Sequence, residues 1–241
     1  MEAREFKDGI FEQLARVGAA FGSPKRVEII DLLAQGERTV ESIADATGMT
    51  VANTSRHLGI LRTSGLVASR RDGLYSIYRV ADRSVVVGYQ ALRALAESQV
   101  AEVRHLAEAF FSDLDGAEPV GLDELLARSS AGDVVVVDVR PRLEFEAGHL
   151  PEAINIPLDE LADRVGELDE DATVVAYCRG PYCVLAAQAV AQLRGAGLQA
   201  KRLDGGPLEW SAAGLPLTMP TEHAASLGVA ANSFTTRGHR P

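Results

Sequence analysis

The stretch from Ala172 to Leu193 constrains this chain most. The apolar run Ala172–Tyr177 reads as a buried strand, and the alanine-rich segment Val184–Leu193 reads as a helix. Between them lies a short loop, Cys178-Arg179-Gly180-Pro181-Tyr182-Cys183. A strand that feeds a helix through so short a loop is the unit of parallel α/β sheets, which bind ligands at the carboxyl ends of their strands. Cys178 stands at such an end. Loop N–H groups and the positive end of the helix dipole both favour its thiolate, the form that attacks sulfur and other electrophiles. A free thiol is more often a buried structural side chain. Arg179, Gly180 and Pro181 make a loop and not a core, however, so the sequence favours a reactive cysteine.

The alternation continues on both sides of this unit. Helix Leu122–Arg128, strand Val134–Val139, helices Arg142–Ala147 and Leu158–Leu168, strand Leu198–Leu203 and a short helix Pro207–Ala213 predict an α/β domain with a mostly parallel sheet. Upstream, Ser112–Pro119 is polar, with glycine and proline, and marks a boundary. The expected division is a first domain at 1–115, a linker at 116–119, the α/β domain at 120–218 and a flexible tail at 219–241, which is small, polar and unpatterned. At 241 residues, 46% apolar and 24% charged, the chain has the length and composition of two ordinary globular domains. No apolar run reaches the roughly 18 residues of a membrane span. The charged start Met1-Glu2-Ala3-Arg4-Glu5 lacks a signal-peptide core, and two cysteines make no disulfide scaffold, so a cytoplasmic location is expected.

The first domain reads as mainly α. Phe6, Ile10, Phe11, Leu14, Val17 and Phe21 recur at helical spacing over residues 4–21. Ser23-Pro24 supplies an N-cap and a first-turn proline for a helix Lys25–Leu33. Thr39 opens a third helix that stops at Gly48, and Thr50 opens a fourth, Val51–Thr63, that stops at Gly65. Short helices joined by a tight glycine turn predict a helix-turn-helix. Residues 66–80 then alternate around Asp72-Gly73, a hairpin signal, which places a wing directly after the second helix of that pair. Last comes a helix over 82–113, on which Val85, Tyr89, Leu92, Ala96, Gln99, Val103, Leu106 and Phe110 form an a/d seam. A seam this long predicts pairing with a second copy, together with the N-terminal helix, because two half-sites need two recognition helices.

The net charge of −10 argues against nucleic acid as a general partner, but the charge is uneven. Residues 1–115 hold 14 basic and 16 acidic side chains, while 116–241 hold 10 and 18. Within the first domain, Arg56, Arg62, Arg70, Arg71, Arg79 and Arg83 face only Asp72 and Asp82 across residues 50–83. A local basic patch on an acidic protein is the electrostatic footprint of a DNA-binding surface.

Ser55-Arg56-His57-Leu58, Leu61, Gly65-Leu66-Val67, Arg70-Arg71, Gly73 and Tyr78 resemble the recognition helix and wing of the ArsR/SmtB family of dimeric bacterial repressors, over roughly residues 5–112. The resemblance implies that Ala52, Asn53, Thr54 and Arg56 face the bases of double-stranded operator DNA. It places Ser55, His57 and the wing residues Arg70 and Arg71 on phosphates, with Arg62 also among the DNA-binding residues. Many such repressors sense metals, but here no metal is expected. Thr39–Gly48 holds no cysteine, and His105-Leu106-Ala107-Glu108 finds only Leu92, Arg93 and Ala94 upstream where a second ligand pair would be needed. No cofactor is called for.

Asp138-Val139-Arg140, Glu144-Phe145, Gly148-His149-Leu150, Ala153–Pro157, Leu203-Asp204-Gly205-Gly206 and Trp210 resemble a rhodanese-like domain over residues 120–217. By that resemblance Cys178 is the sulfur-accepting nucleophile, and Arg179, Gly180 and Tyr182 belong to the loop that cradles its persulfide. Asp138, Arg140 and His149 support the fold and loop. The loop departs from that of efficient sulfurtransferases, which carry a glycine three residues and a basic residue five residues after the cysteine. Pro181 and Cys183 stand there instead, which argues against strong thiosulfate turnover, and the loop also lacks the extra residue and closing arginine of rhodanese-like phosphatases, which argues against phosphate chemistry. Two readings of Cys183 stay open: a thiol that resolves a Cys178 persulfide, and a buried helix-start side chain.

The combined expectation is a homodimeric repressor whose DNA affinity depends on sulfur or redox chemistry at Cys178, with reactive sulfur species or thiosulfate as small-molecule ligand and no membrane partner. The alternatives are a weak sulfurtransferase that the winged helix merely dimerises or localises, and a persulfide relay to another protein.

Overall fold

The structure, a computed structural model, describes residues 1–114, 119–169 and 171–219. The expected linker falls largely on 115–118 and the expected tail on 220–241, both outside the described residues. The chain divides into two compact units, Met1–Gly116 and Ala117–Pro241.

The first unit runs α1 (Ala3–Phe21), α2 (Pro24–Ala34), β1 (Arg38–Thr39), α3 (Val40–Thr47), α4 (Val51–Thr63), β2 (Val67–Asp72), β3 (Tyr75–Val80), α5 (Arg83–Gln99) and α6 (Ala101–Leu114). Local chemistry sets the boundaries that position α4. Thr39 caps α3 by accepting from the Ser42 amide at 3.2 Å, and Gly48 ends it in the left-handed region at φ 64°. Thr50 then caps α4 by accepting from the Asn53 amide at 3.3 Å. Ile29, Ile30 and Leu33 of α2, which packs on this pair, are buried, as are Ile43, Leu58 and Leu61 of the pair itself. The wing is an antiparallel sheet in the order β1-β3-β2, with Asp72 opposite Tyr75 and Gly73 taking positive φ at the first turn position.

The expected continuous helix over 82–113 is two helices. Val100 breaks it, with extended backbone at φ −112°, ψ 98°. Val100 is β-branched, and the Ser98 hydroxyl before it takes the Leu95 carbonyl at 3.0 Å in competition with the helix ladder. Arg104 returns to donate to the Glu97 carbonyl at 3.2 Å, so an acceptor freed by the break is satisfied. The seam divides as well. Val85 and Tyr89 are buried within the unit, where α5 packs on α2 and the Tyr89 hydroxyl donates to Asp31 at 2.9 Å. Leu92, Leu95, Leu106 and Phe110 are exposed, as are Phe6, Ile10, Phe11, Leu14 and Val17 along α1.

The second unit runs α7 (Leu122–Ala131), β4 (Val134–Asp138), α8 (Arg142–Ala147), β5 (Ile154–Asn155), α9 (Leu161–Arg164) with a 3-10 turn Val165–Glu167, β6 (Thr173–Tyr177), α10 (Val184–Gly195), β7 (Gln199–Arg202) and α11 (Pro207–Ala212). The helix expected over 158–168 is thus short, with Gly166 inside the 3-10 turn. The sheet is parallel in the order β5-β4-β6-β7. Strand alternation divides its core in two. Val174, Ala176 and then Cys178 join Ala186, Ala189 and Val190 on the α10 side, while Val175 and Tyr177 join Val120, Leu150 and Trp210 on the other.

Candidate functional site

Cys178 follows β6 directly and keeps its parity, so its side chain enters the α10-side core and is 1% exposed. The thiol donates to the Cys183 carbonyl at 3.3 Å, and the amides of Gly180 and Ala186 donate to its sulfur. The Cys183 amide donates to Gly180 O at 3.1 Å, which curls the loop and brings Cys183 back beside Cys178. Cys183 is half-buried at the N-cap of α10, with Tyr182 and Val184 exposed on either side.

Burial works against the thiolate expected at Cys178. Loss of water pushes the Cys178 thiol well up, outweighing the two amides. Cys183 is instead brought down to about 7, by the hydrogen bond from Cys178 first and then, against its own burial, by the Arg179 amide, the Arg179 charge and the Leu185 amide. The pair therefore titrates as a unit, with one thiolate near neutral pH and a second only at much higher pH.

Two contacts hold the loop, from Glu144 and from Gly206, and a buried ion pair supports the strand beside it. Glu144, buried on α8, takes the Arg179 guanidinium in a fork at 2.7 and 2.9 Å. Its place in a sequence motif gives no hint of this partner. Asp138 and Arg140, expected to support the fold, form a fully buried ion pair at 2.7 Å at the end of β4, and Arg140 also donates to the Gly148 carbonyl at 2.8 Å. His149 is buried too, with Nδ1 2.9 Å from the Phe145 carbonyl and its ring stacked on Phe145. Sequence reasoning missed the other loop contact, Gly206. A Cβ there would overlap the Cys178 carbonyl oxygen and lie 2.8–2.9 Å from the Arg179 carbonyl group. These are backbone atoms, which cannot swing aside, so Gly206→Ala is expected to cost about 1–3 kcal/mol of stability. The same variant should speed alkylation of Cys178. Unchanged thermal unfolding and unchanged alkylation would show that the loop does not need this close approach.

In the first unit, α4 exposes Ala52, Asn53, Ser55, Arg56 and Arg62. Thr54, expected to face the bases, does not. It is 0% exposed, in line with Leu58 and Leu61, and its hydroxyl donates to the Thr50 carbonyl at 3.0 Å. His57 is half-buried, and burial followed by the charges of Arg26, Arg56 and Lys25 holds it below its ordinary value, so it carries little charge toward a phosphate at neutral pH. On the wing Arg71 is exposed. Arg70 pairs with Glu37 and Asp72, each at 3.0 Å, on the exposed surface where such pairs exchange readily with other anions.

Residues 23–69 match the family model described as "Bacterial regulatory protein, arsR family", and residues 121–213 match that of the "Rhodanese-like domain". The HTH-type transcriptional regulator Rv0324 of Mycobacterium tuberculosis is 47% identical over 211 residues, covering 88% of this chain and 92% of that protein. The chain belongs to the ArsR family of transcriptional regulators and carries a rhodanese-like domain. The regulator also matches a sulfurtransferase of Allochromatium vinosum, at 34% identity over 36% of this chain and 81% of that one. Among solved structures it resembles the homodimeric winged helix-turn-helix fragment of Mb0332 from Mycobacterium bovis. That fragment is 40% identical, with 42% of this chain and 91% of that chain covered and a TM-score of 0.39. No helix among the described residues is long and apolar enough to cross a membrane.

Proposed function

We propose that this regulator is a homodimeric repressor whose affinity for double-stranded operator DNA is set by the sulfur state of the Cys178–Cys183 loop. The observation that carries the proposal is the thiol pair itself, two hydrogen-bonded cysteines held in a loop of the rhodanese-like unit of a DNA-binding chain. The exposed apolar residues of α1 and of α5 and α6 supply a surface for the second copy, with Val85 and Tyr89 excluded because they are spent inside the protomer. The cysteine loop argues against rapid thiosulfate turnover, since Cys178 is shut into the core and Cys183 replaces the cation that would hold an anionic donor. Mass spectrometry of polysulfide-treated protein beside a DNA-shift assay tests the proposal. Sulfur should add at the loop and DNA mobility should change together, and either without the other contradicts it.

On the DNA side, α4 enters the major groove with Ala52, Asn53 and Arg56 toward the bases and Ser55, Arg62, Arg70 and Arg71 toward phosphates. Arg56→Ala is expected to weaken binding. For an arginine that also neutralises a phosphate, the log–log slope of affinity against salt should fall by about 0.9. Unchanged affinity and slope would remove Arg56 from the interface.

A further inference from the structure

We propose that the sulfur donor for the Cys178 loop is a neutral hydropersulfide, RSSH, with an apolar carbon group R, and not thiosulfate or another anion. This names the donor class for the sulfur-responsive reading above and rests on it. The loop Cys178–Cys183 holds one basic residue, Arg179. Its guanidinium is forked onto Glu144, which is 1% exposed, so that charge is already spent inside the protein. The unit around the loop is acidic, with 18 acidic against 10 basic side chains over residues 116–241, and its field repels an anion. Cys178 itself is buried among Ala176, Ala186 and Val190, where an anion sheds its water while the loop's cation is held by Glu144. The mouth is apolar instead. Tyr182 and Val184 flank Cys183, whose carbonyl oxygen lies 3.3 Å from the Cys178 sulfur, and they are 42% and 38% exposed.

A hydropersulfide presents its slender S–SH end to the buried thiol and leaves its carbon group outside, against Tyr182 and Val184. Sγ of Cys178 gives up its proton and attacks the terminal sulfur of the donor. A bond forms between these two sulfurs, the S–S bond of the donor breaks, and its electron pair leaves on the inner sulfur, which takes the proton. The products are Cys178–S–SH and RSH. No net charge enters or leaves the core, and no outside oxidant or reductant is consumed. Thiosulfate would instead bring two negative charges to the mouth and release sulfite.

The test uses the full chain with benzyl hydropersulfide, glutathione hydropersulfide or thiosulfate at one pH, quenched with an alkylating agent at short times and digested with trypsin. Cleavage after Arg179 puts the two cysteines in separate peptides, so sulfur on Cys178 is read by mass. Each hydropersulfide rate is divided by that of the same donor with free N-acetylcysteine. On that scale the benzyl donor should load Cys178 at least roughly tenfold faster than the charged glutathione donor, the low end of what a local field does to an association rate. Thiosulfate should be slower than either. Tyr182→Lys puts a cation at the mouth on an exposed side chain, so thermal unfolding should be unchanged while thiosulfate loading rises and benzyl loading falls. Val184→Lys should act in the same direction. Equal scaled rates for the two hydropersulfides, thiosulfate loading as fast as the benzyl donor, or donor preferences untouched in both lysine variants overturn the proposal and leave the regulatory reading standing. Loading of Cys178 by the benzyl donor with no change in DNA affinity overturns that reading and leaves the donor class standing. No sulfur on Cys178 from any donor overturns both.

Discussion

Arg140→Ala should lower the unfolding free energy of the rhodanese-like unit by about 3–5 kcal/mol, the usual cost of stranding one charge of a buried pair. Asp138 and Arg140 are both essentially without solvent contact. Asp138 accepts from the Arg140 guanidinium at 2.7–3.1 Å and from the Arg140 amide at 3.0 Å. Asn155 donates to the carbonyls of both residues at 3.0 Å, so the network joins β4 to β5. Removing the guanidinium leaves a carboxylate in the core and the Gly148 carbonyl short of a donor. The readout is specific, because the sole tryptophan, Trp210, is buried in this unit and its indole donates to the Pro216 carbonyl at 2.9 Å. Urea unfolding followed by its fluorescence therefore reports this unit. The double variant Asp138→Leu, Arg140→Met should lose less than Arg140→Ala alone, since no charge is left unpaired. A loss below about 1 kcal/mol in Arg140→Ala would mean that water reaches the site and the pair is not a buried one.

The fold was readable wherever a pattern has one physical solution. Glycine stops, threonine caps and the Asp72-Gly73 hairpin bound the winged helix, and apolar runs alternating with helices give the parallel sheet. The a/d spacing over 82–113 misled, because periodicity cannot tell a residue packed on its own α2, as Tyr89 is, from one waiting for a partner. It also does not register a break like that at Val100, where no glycine or proline stands. Thr54 was misplaced for a related reason. A polar residue on a recognition helix looks like a base reader, yet its hydroxyl is satisfied by the carbonyl of Thr50 and the methyl fills the core.

At the cysteine loop the elements were legible in the sequence, but the depth of Cys178 was not. The N–H donors and the helix start are there and reach the sulfur, but strand parity also buries Cys178 in the α10-side core, and that burial raises its thiol. Gly206 lies 28 residues from Cys178 in sequence and touches it only through the fold, so no local signal points to it.

The central claim is that sulfur chemistry at this loop changes DNA affinity, and fluorescence anisotropy at fixed salt measures it directly. The probe is a labelled duplex selected by the protein itself from a random pool, titrated with reduced protein and with protein treated with a hydropersulfide. Linked sites of this kind typically couple by about 1–3 kcal/mol, so the two dissociation constants should differ roughly 5- to 150-fold. A thiol reductant should reverse the shift. Cys178→Ser should bind DNA as the reduced protein does and show no shift, and Cys183→Ser should lose the response with it, because a disulfide needs both sulfurs. Equal affinities for the reduced, treated and Cys178→Ser proteins would contradict the account, leaving a DNA-binding unit and a sulfur-handling unit that share a chain without sharing a signal.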